Sequence, residues 1–327
     1  MSKITVLGAG GWGMALAISA CNSSNKVTIW SPFDNEIEYL KKNHGNERLL
    51  PGIVLPDEIE FTGDLSAAEN SEITIVAVPS VAVESVVKNL RQVKNPGIIV
   101  NVAKGFEPNT QSRLSLIFER ELPDRKIVVL SGPSHAEEVA RNIPTSIVAA
   151  SKSRAAAEIV QNVLSSENLR IYTSDDIVGV ELGGALKNVI AICCGFCNGL
   201  GLGDNTKAAL ITRGLAEMIR LGVCMGARES TFAGLTGIGD LVVTCLSVHS
   251  RNNRFGTLVG KGVNVNDALK QVGTVEGYYA CDIAYKISRE YKIEMPIIEQ
   301  CHAVLFDGKS VSESVKELMN RPSKSEN

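Results

Sequence analysis

The chain opens on a short apolar block, Ile4-Thr5-Val6-Leu7, and blocks of that kind recur along its first 150 residues. They stand at 26–30 (KVTIW), 73–78 (ITIVAV), 97–102 (GIIVNV), 126–130 (KIVVL) and 146–150 (SIVAA). Runs this short, β-branched and nearly uncharged predict strands buried on both faces. Helical stretches separate most of them, as in 81–90 and 110–121. The alternation predicts an α/β fold: a doubly wound, mostly parallel sheet with helices on both faces. Residues 163–173 (VLSSENLRIYT) predict one last small strand. Beyond about residue 175 the strand pattern ends. Residues 176–199 then read as one long helix, and the remainder to 318 as largely helical. The polar tail 321–327 is expected to fray.

Chemistry first enters at the end of the first block. Leu7 runs into Gly8-Ala9-Gly10-Gly11-Trp12-Gly13, and residues 14–21 (MALAISAC) read as a helix. Strand, GxGxxG, helix is the order of a dinucleotide-binding unit. Gly8 allows the tight turn, Gly10 lets the backbone approach a pyrophosphate, and Gly13 lets helix pack on strand. The helix N-terminus offers free N–H groups and a partial positive charge to the phosphates. The uncharged run 4–21 could also pass for a signal-peptide core, but its four glycines and the lack of a small-x-small cleavage site argue against that. Two domains follow: a Rossmann-type dinucleotide-binding domain over 1–180 and an all-helical substrate-binding domain over 181–327, with the long helix as hinge.

Composition narrows the partners. A chain of 327 residues with 44% hydrophobic and 21% charged content suits a globular protein with two sizeable cores. A net charge of -3 points to neither nucleic acid nor an anionic membrane. The eight cysteines lack a framework spacing, which implies free thiols in a reducing cytoplasm. The Cys194-x-x-Cys197 pair has no second pair or His cluster to complete a metal site, so no metal is expected, and packing on an apolar helix is the plainer reading.

Three loops follow predicted strands, where an open α/β sheet binds ligands: Val78-Pro79-Ser80, Ala103-Lys104-Gly105-Phe106 and Ser131-Gly132-Pro133-Ser134-His135-Ala136. Lys104 reads as a ligand-facing cation or a solvated surface lysine; the third loop as a ligand contact or plain turn chemistry. Lys187 is the one cation between residues 179 and 203. Desolvation there would lower its pKa and suit it to proton transfer; the alternative is a lysine snorkelling its head to water. Asp240, in Thr236-Gly-Ile-Gly-Asp-Leu, reads either as a partner that holds Lys187 or as a helix N-cap. Ser250-Arg251-Asn252-Asn253-Arg254 at a helix start makes an anion site or an exposed polar turn.

Taken in order, GAGGWG, VPS, AKGFE, SGPSHAEEVA, ELGGALKNVIAI, TKAALITRGLAEM, GLTGIGDLVVTC and SRNNRFG resemble the bacterial NAD(P)-dependent glycerol-3-phosphate dehydrogenases, over nearly the whole chain from Ile4 to about Leu318. The resemblance implies reversible reduction of dihydroxyacetone phosphate to sn-glycerol 3-phosphate with NAD(P)H, supplying the phospholipid backbone. It implies Lys187 as the proton donor and acceptor at the central oxygen, positioned by Asp240. It implies substrate contacts from Lys104, Gly132, Ser134, Ser250, Arg251 and Asn252, the last three chiefly to the phosphate. Around the cofactor it implies Gly8, Gly10, Gly11, Trp12 and Gly13, with Lys104, Ala136, Arg251, Val275 and Glu276. It further implies a cytoplasmic homodimer paired through the helical half, without membrane insertion or nucleic acid. A sister dehydrogenase acting on a 3-hydroxy acid would share the plan and the lysine but would not need SRNNR; a non-catalytic nucleotide sensor would need no lysine. The family often carries a basic residue two positions past the tryptophan of the second strand. Here Trp30 is followed by Ser31, Pro32 and Phe33, and Asp34 lies beyond, so the choice between NAD and NADP stays open; Lys41, Lys42 or Arg48 could reach a phosphate.

Overall fold

The protein is described by a computed structural model over residues 1–323 and 325. The fraying expected of residues 324, 326 and 327 lies outside the described residues; Arg321, at the start of that tail, forms an ion pair with Glu294.

Eight strands form one sheet: β1 (Lys3–Leu7), β2 (Lys26–Trp30), β3 (Glu60–Thr62), β4 (Ile73–Val76), β5 (Ile98–Asn101), β6 (Ile127–Ser131), β7 (Thr145–Ala150) and β8 (Leu169–Ser174). Their order is β3-β2-β1-β4-β5-β6-β7-β8, and every neighbouring pair is parallel except β6–β7. The chain runs outward from β1 to β3 and then returns to place β4 on the other side of β1. That reversal opens a crevice at the carboxyl ends of β1 and β4. Helices α1 (Gly11–Asn22), α2 (Asp34–Asn43), α3 (Ser80–Leu90), α4 (Leu114–Glu121), α5 (Ala136–Ala140) and α6 (Arg154–Leu164) intersperse the strands.

Alternation within the strands divides the core. Ile4, Val6, Ile75 and Val100 pack on one face, whereas Leu7, Val76, Ile99 and Ile127 pack on the other. Polar residues within the sheet are paired: Thr5 donates to the Ala67 carbonyl at 3.1 Å and Thr74 to the Pro96 carbonyl at 2.6 Å.

The second half is helical: α7 (Ile177–Gly199), α8 (Asp204–Cys224), α9 (Glu229–Phe232), α10 (Asp240–Leu246), α11 (Arg251–Gly260), α12 (Val265–Val272), α13 (Glu276–Glu290), α14 (Pro296–Phe306) and α15 (Val311–Met319). Twenty of the 23 residues of α7 are buried, so it is apolar all round rather than amphipathic. Among the described residues it is the one single helix long and apolar enough to cross a bilayer, and 94% of its most apolar window is buried inside the protein. Asp176 caps it, accepting from the Gly179 amide at 2.9 Å. Glycines bring α11 against it at backbone distance: a Cβ on Gly195 would strike the Asn253 carbonyl, and one on Gly256 the Ile192 carbonyl. Cys193, Cys194 and Cys197 are buried packing residues, and all eight cysteines are unpaired.

Some expectations shift. The helix expected from residue 110 starts at Leu114, because the Glu107 carboxylate accepts the Asn109 amide at 2.9 Å and the Thr110 amide in a turn. The strand expected from residue 163 starts at Leu169, since Val163 and Leu164 complete α6. Three-residue β3 and charged α2 carry too weak a pattern to be read from the sequence.

Candidate active site

The glycine loop joins β1 to α1 across the crevice. The Gly8 amide donates to the Trp30 carbonyl at 2.8 Å, tying the loop to the end of β2. Gly8 has φ +120°, and a Cβ there would lie 2.6 Å from the Ala77 carbonyl oxygen, so only glycine makes the turn. Around Gly10 there is open space instead, with nothing within 4 Å of where a Cβ would stand. Gly10 also begins α1 without a side-chain cap, which leaves the first-turn amides free for an anion. The Trp12 indole N–H is buried and has no partner among the described residues. Ala136, at the start of α5, reaches the same loop; its Cβ is 3.8 Å from an ideal Cβ on Gly11. An unfilled glycine cradle, uncapped amides and an orphaned donor are the features a dinucleotide pyrophosphate fits.

The far wall comes from the helical half. Glu276, the first residue of α13, accepts from the Ser80 amide at 3.1 Å and the Ser80 hydroxyl at 2.5 Å. Its Oε2 also lies 3.1 Å from an ideal Cβ on Gly105. Burial raises its carboxyl pKa, against the Ser80 hydrogen bonds. The buried Val275 precedes it as the N-cap residue.

A largely buried cluster stands where α7, α10 and the loop after β5 meet. Gly183 and Gly184 give α7 a bare face: a Cβ on Gly183 would strike the Thr236 carbonyl, and one on Gly184 would lie 2.9 Å from the Ser131 hydroxyl and 3.4 Å from the Lys104 stem. The turn before α10 and the loop after β5 therefore close on α7 one turn from Lys187. The Lys187 ammonium donates to Asp240 Oδ1 and, at 2.7 Å, to Thr244 Oγ1. Lys104 donates to Asp240 Oδ2 at 2.8 Å and to the Gly132 carbonyl at 2.9 Å, with Ser134 Oγ at 3.4 Å. Asp240 and Thr244 are four apart on α10 and so share one face. Lys187 is only 5% exposed, which removes the snorkelling alternative. Gly239, not Asp240, is the N-cap residue of α10, which removes the capping alternative.

Charge decides how the cluster titrates. Two ammonium groups share one carboxylate, so the fully protonated trio carries a net positive charge in a buried place. Burial, helped by neighbouring Lys104 and opposed by Asp240, lowers the Lys187 pKa to about 7. The Asp240 carboxyl is raised by burial, but Lys104 and Lys187 outweigh that and hold it below the usual range. His135, at the end of the Ser131–Ala136 loop, is pushed down by burial and by Lys187, so it is neutral near pH 7. The arrangement suits proton exchange with an oxygen beside Lys187 at neutral pH.

The last group stands at the start of α11. Ser250 caps that helix, its hydroxyl accepting from the Asn253 amide at 3.2 Å. Asn252 is buried; its carboxamide donates to Asn188 Oδ1 at 2.9 Å and accepts the Gly277 amide at 2.9 Å. It thus joins the helix bearing Lys187 to the helix bearing Glu276. Arg251 is exposed and makes no ion pair among the described residues. Thr244 was not foreseen: only the i+4 spacing from Asp240 could have flagged it.

Two family models match the chain, the N-terminus of NAD-dependent glycerol-3-phosphate dehydrogenase over residues 3–157 and its C-terminus over residues 176–316. A glycerol-3-phosphate dehydrogenase [NAD(P)+] of Fusobacterium nucleatum is 50% identical over 331 residues, covering 100% of this chain and 99% of that protein. The enzyme of that name from Bacillus subtilis is 48% identical, covering 98% of this chain and 95% of its own. A crystal structure of glycerol-3-phosphate dehydrogenase from Coxiella burnetii superposes with a TM-score of 0.94 at 36% identity, covering 98% of this chain and 99% of that one.

Proposed function

The chain belongs to the NAD-dependent glycerol-3-phosphate dehydrogenase family, and from that premise we infer how its own residues carry the reaction. It is an NAD(P)-dependent oxidoreductase that interconverts dihydroxyacetone phosphate and sn-glycerol 3-phosphate, the backbone precursor of glycerophospholipids.

Gly8, Gly10, Gly11, Trp12 and Gly13 would hold the cofactor's pyrophosphate, with Ala136, Val275, Glu276, Lys104 and Arg251 around the rest of it. When bound, the reduced nicotinamide supplies a hydride to the carbonyl carbon. Lys187, as ammonium, stabilises the charge that develops on the carbonyl oxygen and then protonates it. In the reverse direction the neutral amine takes the hydroxyl proton. Asp240 and Thr244 orient the amine, and two of its three N–H bonds are committed to them, which leaves one for the substrate. Lys104, Gly132 and Ser134 hold the substrate's near side. Ser250, Arg251 and Asn252 at the start of α11 hold its phosphate, so that binding energy remote from the carbonyl fixes the reacting geometry.

The observation that carries this reading is the Lys187–Asp240–Lys104 cluster, with Lys187 and Asp240 buried and Lys104 on the loop after β5: such a charge set is costly to bury and serves proton transfer. The test is absorbance at the reduced-nicotinamide band with dihydroxyacetone phosphate and each cofactor. Oxidation that depends on this substrate is expected, and none with either cofactor would end the reading.

We further divide the chain into a dinucleotide-binding domain, 1–180, and a helical substrate-binding domain, 181–327. The eight free thiols suit a cytoplasmic location. Pairing of two copies through the helical half is supported by the exposed Val242, Leu246 and Val248, and light scattering in solution tests it.

A further inference from the structure

The carboxyl end of β2 is where a dinucleotide fold chooses between its two coenzymes. A carboxylate there hydrogen-bonds the ribose 2′-hydroxyl, whereas an arginine accommodates the 2′-phosphate. The residues directly after β2 are Ser31, Pro32 and Phe33, which are neither. The fold supplies what the strand end lacks. The first turn of α2 brings Glu36 back over the strand, and the Ser31 hydroxyl donates to Glu36 Oε2 while accepting the Phe33 amide at 3.3 Å. Ser31 itself is buried at 1% exposure, so it serves as a fixed peg for the carboxylate. Glu36 Oε1 makes no hydrogen bond among the described residues. A second carboxylate is close by: Asp34 Oδ1 and the Ser31 carbonyl oxygen lie 3.2 and 3.8 Å from an ideal Cβ on Gly63. Neither acid is in an ion pair among the described residues. Lys41 and Lys42 stand in the last turn of α2, which a rise of about 1.5 Å per residue puts about 7 Å or more further along the axis.

We propose that Glu36, docked on Ser31 at the end of β2, sets the coenzyme preference of this enzyme, accepting a hydrogen bond from the adenosine ribose of NADH and repelling the 2′-phosphate of NADPH. The assignment rests on the dehydrogenase reading above and adds to it the one choice the sequence left open. The carboxylate comes from six residues past the strand end, which is why a search of the strand end alone misses it.

The test is direct titration of the whole protein with NADH and with NADPH, without substrate, followed by nicotinamide fluorescence. NADPH should bind about tenfold or more weakly than NADH, the size expected of one charge-assisted hydrogen bond replaced by a like-charge contact. Glu36→Gln should tighten NADPH by about tenfold and narrow the gap, with an unchanged circular dichroism spectrum. Ser31→Ala, which frees the carboxylate from its peg, should narrow the gap in the same direction by less. Added salt should shrink the wild-type gap and leave that of Glu36→Gln nearly constant, a response that a packing role would not give. Equal affinities in the wild type, or a gap that Glu36→Gln leaves intact, would overturn the proposal. So would tight NADPH binding that Arg48→Ala abolishes, since a cation would then govern the site. Failure of both coenzymes to bind would instead remove the dehydrogenase reading beneath it.

Discussion

At the scale of single residues the chemistry reduces to one shared carboxylate. Asp240 is bonded to two amines, and burial, helped by the neighbouring Lys104 charge, makes Lys187 the member that gives up its proton. With its pKa lowered to about 7, Lys187 is charged below neutrality and neutral above it. Reduction needs the ammonium, so its kcat/KM should be highest below pH 7 and fall as pH rises through that value. Oxidation needs the free amine and should rise over the same range; profiles in both directions check the sign. Lys187→Ala should lower turnover about a thousandfold while NADH binding stays within a few-fold, measured by stopped assay and titration. Arg251→Ala should raise the substrate KM about tenfold or more with little change in NADH affinity, as loss of a phosphate contact would. Lys187 and Asp240 were legible in the sequence because charge amid apolar residues stands out. Thr244 and Glu36 were not, because each acts through a fold-back of one helical turn onto a partner fixed elsewhere. The family resemblance implies Asn252 as a substrate contact, and its buried amide also ties three helices together.

At the scale of elements, α7 decides where everything else stands. Its start is fixed by Asp176, which accepts the Gly179 amide at 2.9 Å, the Arg228 amide at 2.9 Å and the Thr231 hydroxyl at 2.5 Å. Removing one buried carboxylate that satisfies three donors should cost about 2–3 kcal/mol, so Asp176→Ala should lower the urea midpoint accordingly. Its far end is fixed by the glycine contact with α11, which sets the distance between Lys187 and Arg251. Gly256→Ala should force those helices apart, costing about 1–3 kcal/mol and raising KM for substrate more than for cofactor. The sequence showed α7 by its length and apolar content and the parallel strands by their β-branched runs. It did not show the close approach of α11, because a glycine in a helix reads as a weakness until its neighbour is known.

At the scale of the whole molecule, three largely buried polar links stand out, among the described residues, between the sheet half and the helices. They are Lys104 with Asp240, Arg113 and Ser115 with Glu181, and Ser80 with Glu276. Val129, Val148 and Ala150 of the sheet pack against Ile177 and Val180 of α7, so the seam is apolar as well. Calorimetry should therefore give one unfolding transition, moved upward by NADH; two separate peaks would mean that the links do not couple the halves. The order of the halves was visible in the change of periodicity, but the links were not, since each joins residues more than sixty positions apart.

The burial of α7 has a consequence for synthesis on the ribosome. The strands that form its floor are complete by Ser174, but α11, which covers its other side, begins only at Arg251. At about 5–20 residues per second a nascent chain would wait for several seconds with a naked, bilayer-like segment outside the exit tunnel. Chains arrested before α11 should therefore be captured by hydrophobic-binding chaperones, and chains arrested after α13 should be released.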